Sequence, residues 1–390
     1  MYKIKTYNKI SPRGLDLLPR DQYEVSSETV NADGYILRSY KLHDEPFPES
    51  LLAIARAGAG VNNIPVDDCT KRGIVVFNTP GANANGVKEL VLCSLFLASR
   101  KIVQGVDWAK TQIGEGDQVP KLIEKNKSQF AGPEIKGKRL GIIGLGAIGV
   151  NVANDAYDLG MDVIGFDPFL SVDSAWGLSR NIQRAVSLDD LVSKADYISI
   201  HAPLTDKTRG MFNAEKFSIM KKGVRILNFA RGGLVNNNDI KKALDDGIVT
   251  CYVTDFPDEE LLKHDSVIGV PHLGASTPES EDNCAIMAAT QLVNYLECGN
   301  VVNSVNFPDC EMQFTGDIRL IVINQNIPAM VQKITGVLAD RNINISNMLN
   351  RHQDEYAYNI IDIEGNFDEK AIGELKAIDG IIAARVIECK

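Results

Sequence analysis

Positive charge is in short supply in this 390-residue sequence. Its 41 Lys and Arg stand against 51 Asp and Glu, a formal net charge of −10. Nucleic acid is therefore not an expected partner, because phosphate backbones demand a surplus of Lys and Arg. An anionic ligand would have to find a local positive patch in an acidic protein. Histidine is scarce too, with five residues and no zinc-ligand spacing, so no metal site is expected. The seven cysteines include no C-x-x-C pair and are odd in number. Reduced thiols in a cytoplasmic protein follow. No apolar run reaches bilayer length, and Met1-Tyr2-Lys3-Ile4-Lys5 is not followed by the apolar core of a signal peptide. Neither a membrane protein nor a secreted one is expected.

What the sequence does contain is an ordinary globular mixture, 44% hydrophobic and 24% charged, long enough for two or three domains. Short apolar runs at 35–38, 51–55 and 74–77 end in turn residues and read as buried strands. A long apolar helix is expected from about 86 to 106. From 137 to about 283 strands and helices alternate, the pattern of a parallel sheet flanked by helices. A helix near 283–296 is expected to return to the first domain. Residues 304–316, with Pro308 and Gly316, read as a linker. The tail then reads strand 319–323, helix 328–341, strands 343–349 and 356–363, helix 368–376 and strand 381–387. That is a ferredoxin-like order. The expected fold class is α/β, with two Rossmann-like, doubly wound parallel-sheet domains and a C-terminal α+β domain. The boundaries drawn are 1–97 with 284–303 for a discontinuous substrate domain, 98–283 for a cofactor domain, and 317–390 for the tail.

Gly144-Leu145-Gly146-Ala147-Ile148-Gly149 fits G-x-G-x-x-G. It follows an apolar strand, opens a helix, and meets Asp167 at the end of the next strand, 18 residues beyond Gly149. The glycines would permit the tight turn, the approach of a pyrophosphate to the helix N-terminus, and close helix–strand packing. Asp167 would accept from ribose hydroxyls and repel a 2′-phosphate, which favours NAD over NADP. A structural glycine turn with a solvated Asp is the bland alternative.

Three more strands end in polar residues. Arg231 follows Ile226-Leu227-Asn228-Phe229-Ala230, Asp258-Glu259-Glu260 follows Val253-Thr254-Asp255-Phe256, and His272 follows Val267-Ile268-Gly269-Val270-Pro271. In open α/β sheets, ligands bind at such carboxyl ends. Removing hydride from a hydroxyl-bearing carbon needs a base for the hydroxyl proton, which His272 suits. A carboxylate beside the ring, Glu260, would orient it, and a guanidinium, Arg231, would clamp a substrate carboxylate. Each residue has an ordinary structural reading as well: a packed strand-end His, a solvated Glu in an acidic run, an Arg paired for stability.

These residues together resemble the D-2-hydroxyacid dehydrogenase family. Its signature segments are matched by Gly144 to Gly149, by Asn228-Phe229-Ala230-Arg231-Gly232-Gly233-Leu234-Val235, and by Pro271-His272-Leu273-Gly274-Ala275-Ser276-Thr277. The resemblance spans essentially the whole chain and implies Arg231, Glu260 and His272 as the catalytic set. It implies Ala147, Ile148, His201-Ala202-Pro203, Ala230, Asp255 and Gly274 around NAD, Asp255 receiving the nicotinamide carboxamide. His201 is as readily a strand-end packing residue. Arg56-Ala57-Gly58 matches the substrate loop, and Arg38-Ser39 and Asn83 match substrate-holding positions, with Arg38 and Arg56 near a phosphate. The His-Leu-Gly-Ala-Ser-Thr string and the tail most resemble members that act on 3-phosphoglycerate, forming 3-phosphohydroxypyruvate on the way to serine. The tail resembles the ACT domain, with Asn324, Asn326 and Asn344 at effector-binding positions and L-serine as the implied effector. Asn324 stands where a histidine is usual, and Ala329 where some members have glycine. A purely oligomerising tail is the alternative, and at least a homodimer is implied.

Two departures bear on the site. The usual Asp-Val-Phe-x-x-Glu-Pro is here Asp255-Phe256-Pro257-Asp258-Glu259-Glu260-Leu261, so Glu259 competes with Glu260. Asn62-Asn63 replaces the commoner Asp-Asn. Other readings of the whole are a relative acting on hydroxypyruvate, glyoxylate or D-lactate, and a non-catalytic NAD-sensing protein.

Overall fold

The computed structural model describes residues 1–365, 367 and 369–388. The chain forms two compact units, residues 1–83 with 278–390 and residues 84–277. Among the described residues no helix is long and apolar enough to cross a membrane. Six cysteines are free thiols, while Cys389 lies outside the described residues.

The first unit carries a five-stranded parallel sheet in the order Tyr23–Ser26, Tyr2–Thr6, Gly34–Leu37, Ala53–Arg56, Val75–Phe77. Strands Gly34–Leu37 and Val75–Phe77 are buried throughout, as strands covered on both faces must be. Strands Tyr23–Ser26 and Tyr2–Thr6 escape a reading by apolar runs, because charged residues interrupt both and Tyr2-Lys3-Ile4-Lys5-Thr6 alternates with charge. The 21-residue helix Pro278–Cys298 lays Cys284, Ala288, Leu292 and Tyr295 on this sheet's core.

The second unit holds a seven-stranded parallel sheet. Its order is Val267–Gly269, Val249–Thr254, Val224–Asn228, Tyr197–Ile200, Arg139–Ile143, Asp162–Phe166, Gln183–Arg184. The strand order reverses beside Arg139–Ile143, which creates the switch-point crevice of dinucleotide folds. The single helix expected over 86–106 is two, Ala84–Ser99 and Ile102–Lys110. At the break Ser99 Oγ donates back to the Leu95 carbonyl and also bonds Tyr197 Oη at 2.7 Å, and the Ile102 amide donates to the Arg100 carbonyl in the tight turn between the helices. Helix Ala84–Ser99 packs Val87, Val91 and Leu95 against Leu140, Ile142 and Ala153 and thus lies in the second unit. The sequence boundary at 97 placed most of it in the first.

The tail is a four-stranded antiparallel sheet ordered Asn344–Gln353, Tyr356–Glu364, Ile318–Gln325, Ile381–Glu388, with helices Met330–Ala339 and Glu369–Ala377. Its first helix opens at Met330, two residues later than expected, after Ala329 adopts a left-handed φ of 66°. Asp368, expected to open the second helix, lies outside the described residues. One sheet face buries Leu320, Val322 and Ile361 with the tail helices. The other face sends Ile321, Ile323, Tyr358 and Ile360 into the same core as Phe77, Tyr295 and Phe307. The tail and the first sheet therefore share a core. A buried ion pair rivets them: Arg319 Nε and Nη2 donate to Asp362 at 2.6 and 2.9 Å, and Arg319 Nη1 donates to the Cys298 and Met312 carbonyls. Burial works against the Asp362 charge, yet Arg319 and Thr315 hold it below its ordinary value.

Candidate active site

The glycine turn sits where the second unit's central strand Arg139–Ile143 runs into helix Ala147–Asp158. Gly144 has φ 88°, and a Cβ there would lie 2.7 Å from the His201 carbonyl. A Cβ on Gly149 would run into the Gly144 carbonyl oxygen. Only glycine meets both demands, so the turn keeps backbone N–H groups bare at a helix N-terminus, the form that cradles a pyrophosphate. Gly146, at the N-cap, has open space where its Cβ would be. Asp167 accepts from the Leu145 and Phe169 amides, both at 2.8 Å, and so spans the turn and its own loop. Each carboxylate oxygen keeps a lone pair for a further donor such as a ribose hydroxyl.

His201 ends the neighbouring strand. Its amide donates to Ile143 at 2.7 Å, and its Nε2 lies 2.9 Å from Ser199 Oγ. Burial pushes the imidazole down to about 4, so it is neutral at ordinary pH. Ala202 and Pro203 follow it at the strand end, with Ala202 against Gly144.

Asn228 organises the Arg231 loop. Its side chain accepts from the Ala230 amide and donates to the Arg231 carbonyl at 3.0 Å. Arg231 itself is exposed, with Nη1 donating to the Ala230 carbonyl at 2.7 Å. The next strand ends in Asp255, which is 4% exposed and accepts from the Leu273 and Gly274 amides at 3.2 and 3.1 Å. Burial raises the Asp255 pKa, while those two amides and the charge of His272 pull against the rise. Asp255 is thus the post to which the His272 loop is tied. His272 stands at φ 52°, a left-handed conformation uncommon outside glycine, with its ring 4.8 Å from that of Phe256. Its imidazole is exposed.

The carboxylate expected beside His272 stands elsewhere. Glu260 accepts from Lys263 at 2.6 Å and Lys241 at 3.2 Å, which hold its carboxyl below the ordinary range. Glu259 is likewise paired with Lys263, and Asp258 is spent capping helix Glu259–Leu262. Among the described residues no hydrogen bond joins either glutamate to His272. Asp255 lies within electrostatic reach of His272, whose charge works to lower the Asp255 pKa. Lys263 is an i,i+3 neighbour of Glu260, whereas Lys241 arrives from helix Asn237–Asp245, which spacing along the sequence cannot register. Sequence reading also missed Asn228 and Phe256, although both lie inside the quoted segments.

The substrate-loop residues lie on the first unit. Arg56 Nε donates to the Arg38 carbonyl at 3.1 Å, and Arg38 Nη1 pairs with Glu281 at 2.9 Å. Ala57 and Gly58 carry the loop onward, with Gly58 at φ 149°. Asn8 accepts from the Ser39 and Tyr40 amides. Asn63 donates to the Arg38 and Tyr40 carbonyls, which explains why asparagine serves at that position. Asn83 is half-buried just before helix Ala84–Ser99.

In the tail, the three asparagines at the expected effector positions are all bonded within the chain. Asn324 is buried, donates to the Gln325 carbonyl and accepts from Asn359 at 2.7 Å. Asn326 donates to the Asp354 carbonyl at 3.3 Å, and Asn344 to Glu364 at 2.9 Å.

Comparison with known proteins places these features among relatives. Residues 92–274 match the NAD-binding domain of D-isomer-specific 2-hydroxyacid dehydrogenases. The D-3-phosphoglycerate dehydrogenase of Haemophilus influenzae is 32% identical over 349 residues, covering 86% of this chain and 81% of that protein. That of Methanocaldococcus jannaschii is 36% identical over 277 residues, and this chain spans 50% of its length. Among solved structures, the NAD+-bound 3-phosphoglycerate dehydrogenase of Entamoeba histolytica aligns with a TM-score of 0.60 and 26% identity, over 78% of this chain and 98% of that one.

Proposed function

This chain belongs to the D-isomer-specific 2-hydroxyacid dehydrogenase family, and from that premise we propose that it oxidises 3-phospho-D-glycerate to 3-phosphohydroxypyruvate, the opening step of serine biosynthesis. It is an NAD-dependent oxidoreductase. The glycine turn fits that cofactor: Gly144 and Gly149 leave no room for a Cβ in the turn and the packed helix, and Gly146, the glycine a pyrophosphate approaches, opens onto free space. NAD supplies the acceptor for the hydride leaving the hydroxyl-bearing carbon. The observation that carries the reading is the His272 loop tied to buried Asp255, at the carboxyl edge of the sheet that also bears the glycine turn.

His272 takes the hydroxyl proton on its imidazole as the carbonyl forms. Asp255 holds the loop in its left-handed turn and favours the charge the ring acquires. Arg231 grips the substrate carboxylate through its fork of N–H donors. Glu260 reaches His272 only on release from Lys241 and Lys263. Arg38 and Arg56 meet the phosphate, Arg38 exchanging Glu281 for it. L-Serine feedback runs through Asn326 and Asn344, whose exposed bonds exchange readily, with Asn324 as scaffold.

A substrate panel tests this: NADH formation with 3-phosphoglycerate, D-lactate, glycerate and glycolate. Preference for the phosphorylated acid by two orders of magnitude in kcat/KM is expected. Equal rates with unphosphorylated acids would refute the assignment to 3-phosphoglycerate. Unchanged kinetics across an L-serine titration would refute the regulatory part.

A further inference from the structure

The middle strand of the site is followed by a phenyl ring in an unusual place. Where the family's usual pattern reads Asp-Val-Phe, this chain reads Asp255-Phe256-Pro257, which moves the ring one position nearer the strand. Strand Val249–Thr254 lies between Val224–Asn228, which leads to Arg231, and Val267–Gly269, which leads to His272. Phe256 therefore leaves the sheet between the guanidinium loop and the imidazole loop. Its amide donates to Thr254 Oγ1 at 3.1 Å, which fixes the backbone at the turn.

Both neighbouring segments make room for this dipeptide. A Cβ on Gly232, the residue after Arg231, would lie 3.4 Å from Phe256 Cβ, so the side chain packs on the Arg231 loop. A Cβ on Gly269 would meet Leu262 Cδ2 at 2.6 Å and Pro257 Cβ at 3.0 Å, so that approach demands glycine. Phe256 is half-buried. Its ring centroid stands 4.8 Å from that of His272 with the planes at 56°, within the range of attractive aromatic pairs.

No other group grips that imidazole. Among the described residues His272 makes hydrogen bonds through its amide and its carbonyl, and none through a ring nitrogen. Asp255 bonds the backbone of the loop, and Glu259 and Glu260 are taken by lysines. An exposed ring without a neighbour hops between rotamers in picoseconds to nanoseconds. A base must instead wait within hydrogen-bond reach of the proton it takes, and a misplacement of about 1 Å is costly.

We infer that Phe256 is a positioning residue for the base: its ring, seated beside Gly232, holds the His272 imidazole in the orientation that takes the hydroxyl proton. This rests on His272 being that base.

The test compares Phe256→Leu with Phe256→Tyr in the full-length protein. Leucine keeps bulk against Gly232 and loses the ring, whereas tyrosine keeps both. Phe256→Leu should lower the rate constant of pre-steady-state NADH formation from 3-phosphoglycerate about three- to tenfold, with the substrate KM changed less than about twofold. Phe256→Tyr should restore the rate constant. A merely structural role would shrink the amplitude of that phase, because less protein is folded, and leave its rate constant alone. In the wild type, NMR should show nuclear Overhauser contacts between the Phe256 and His272 rings. Absence of those contacts overturns the proposal without any variant. So does a Phe256→Leu rate constant equal to that of the wild type while His272→Ala is crippled, or a Phe256→Tyr rate constant as low as that of Phe256→Leu. A fully active His272→Ala instead removes the base reading, and the proposal falls with it.

Discussion

The neutral imidazole at position 201 makes a quantitative prediction. Its folded value of about 4 lies below the ordinary 6.5. The unfolded chain therefore takes up a proton as pH falls through 6.5, while the folded chain refuses it until about 4. The sign follows: the contribution to stability is whole above pH 6.5, shrinks between 6.5 and 4, and is flat below that window. A shift of about 2.5 units corresponds to about 3.4 kcal/mol at full extent. Allowing for the edge of the ring that meets solvent, about 2 kcal/mol should be lost between pH 7.5 and 4.5 through this residue. His201→Gln removes the titration while keeping a partner for Ser199. Trp108 and Trp176 both lie in the same unit as His201, so tryptophan fluorescence in urea reports the unfolding of that unit. The difference in unfolding free energy between wild type and His201→Gln should change by about 2 kcal/mol across that pH range. With only five histidines, NMR can also follow the ring directly. Parallel stability curves for the two proteins, or an NMR midpoint near 6.5, would refute the reasoning.

Four further outcomes are expected. Gly149→Ala forces a Cβ against the Gly144 carbonyl, so isothermal titration should show NAD affinity reduced about 10- to 100-fold, from about 1–3 kcal/mol of overpacking. Asp255→Asn keeps one acceptor for the His272 loop but turns a donor toward the other amide; kcat should fall about 100-fold, whereas Glu260→Gln should change it less than tenfold in steady-state assays. Glu281→Gln releases Arg38 from an exposed pair worth up to about 1 kcal/mol, so the KM for 3-phosphoglycerate should drop about two- to fivefold. Asp362→Ala strands a buried guanidinium and should destabilise the first unit by about 3–5 kcal/mol in urea melts.

How much of this was legible beforehand depended on what each feature needs. The glycine turn was readable because its requirements are local: a residue without Cβ, a strand before it, a helix after it. The parallel sheets were readable where strands are apolar throughout, as at 75–77, and hidden where charge alternates, as at 2–6. The helix end at Ser99 is bonded to Tyr197, nearly a hundred residues away, and no local pattern announces that contact. The same holds for the site. His272 and Arg231 were marked by their strand-end positions, but the ion pairs that hold Glu260 to Lys241 and Lys263 were not read from the sequence. Asp255 reads as a cofactor residue in sequence, and its grip on Leu273 and Gly274 exists only once two strands lie side by side. Asn324 lies opposite Ala357 in the sheet register and bonds Asn359, a partner that the sequence does not announce.

The central claim is that the base lies at position 272, and it is tested most directly by pre-steady-state NADH formation from 3-phosphoglycerate in wild type and His272→Ala, with NAD affinity measured alongside. The account predicts a rate reduced by about 10²–10⁴ with NAD affinity preserved. A variant that forms NADH within a few-fold of the wild-type rate would contradict it.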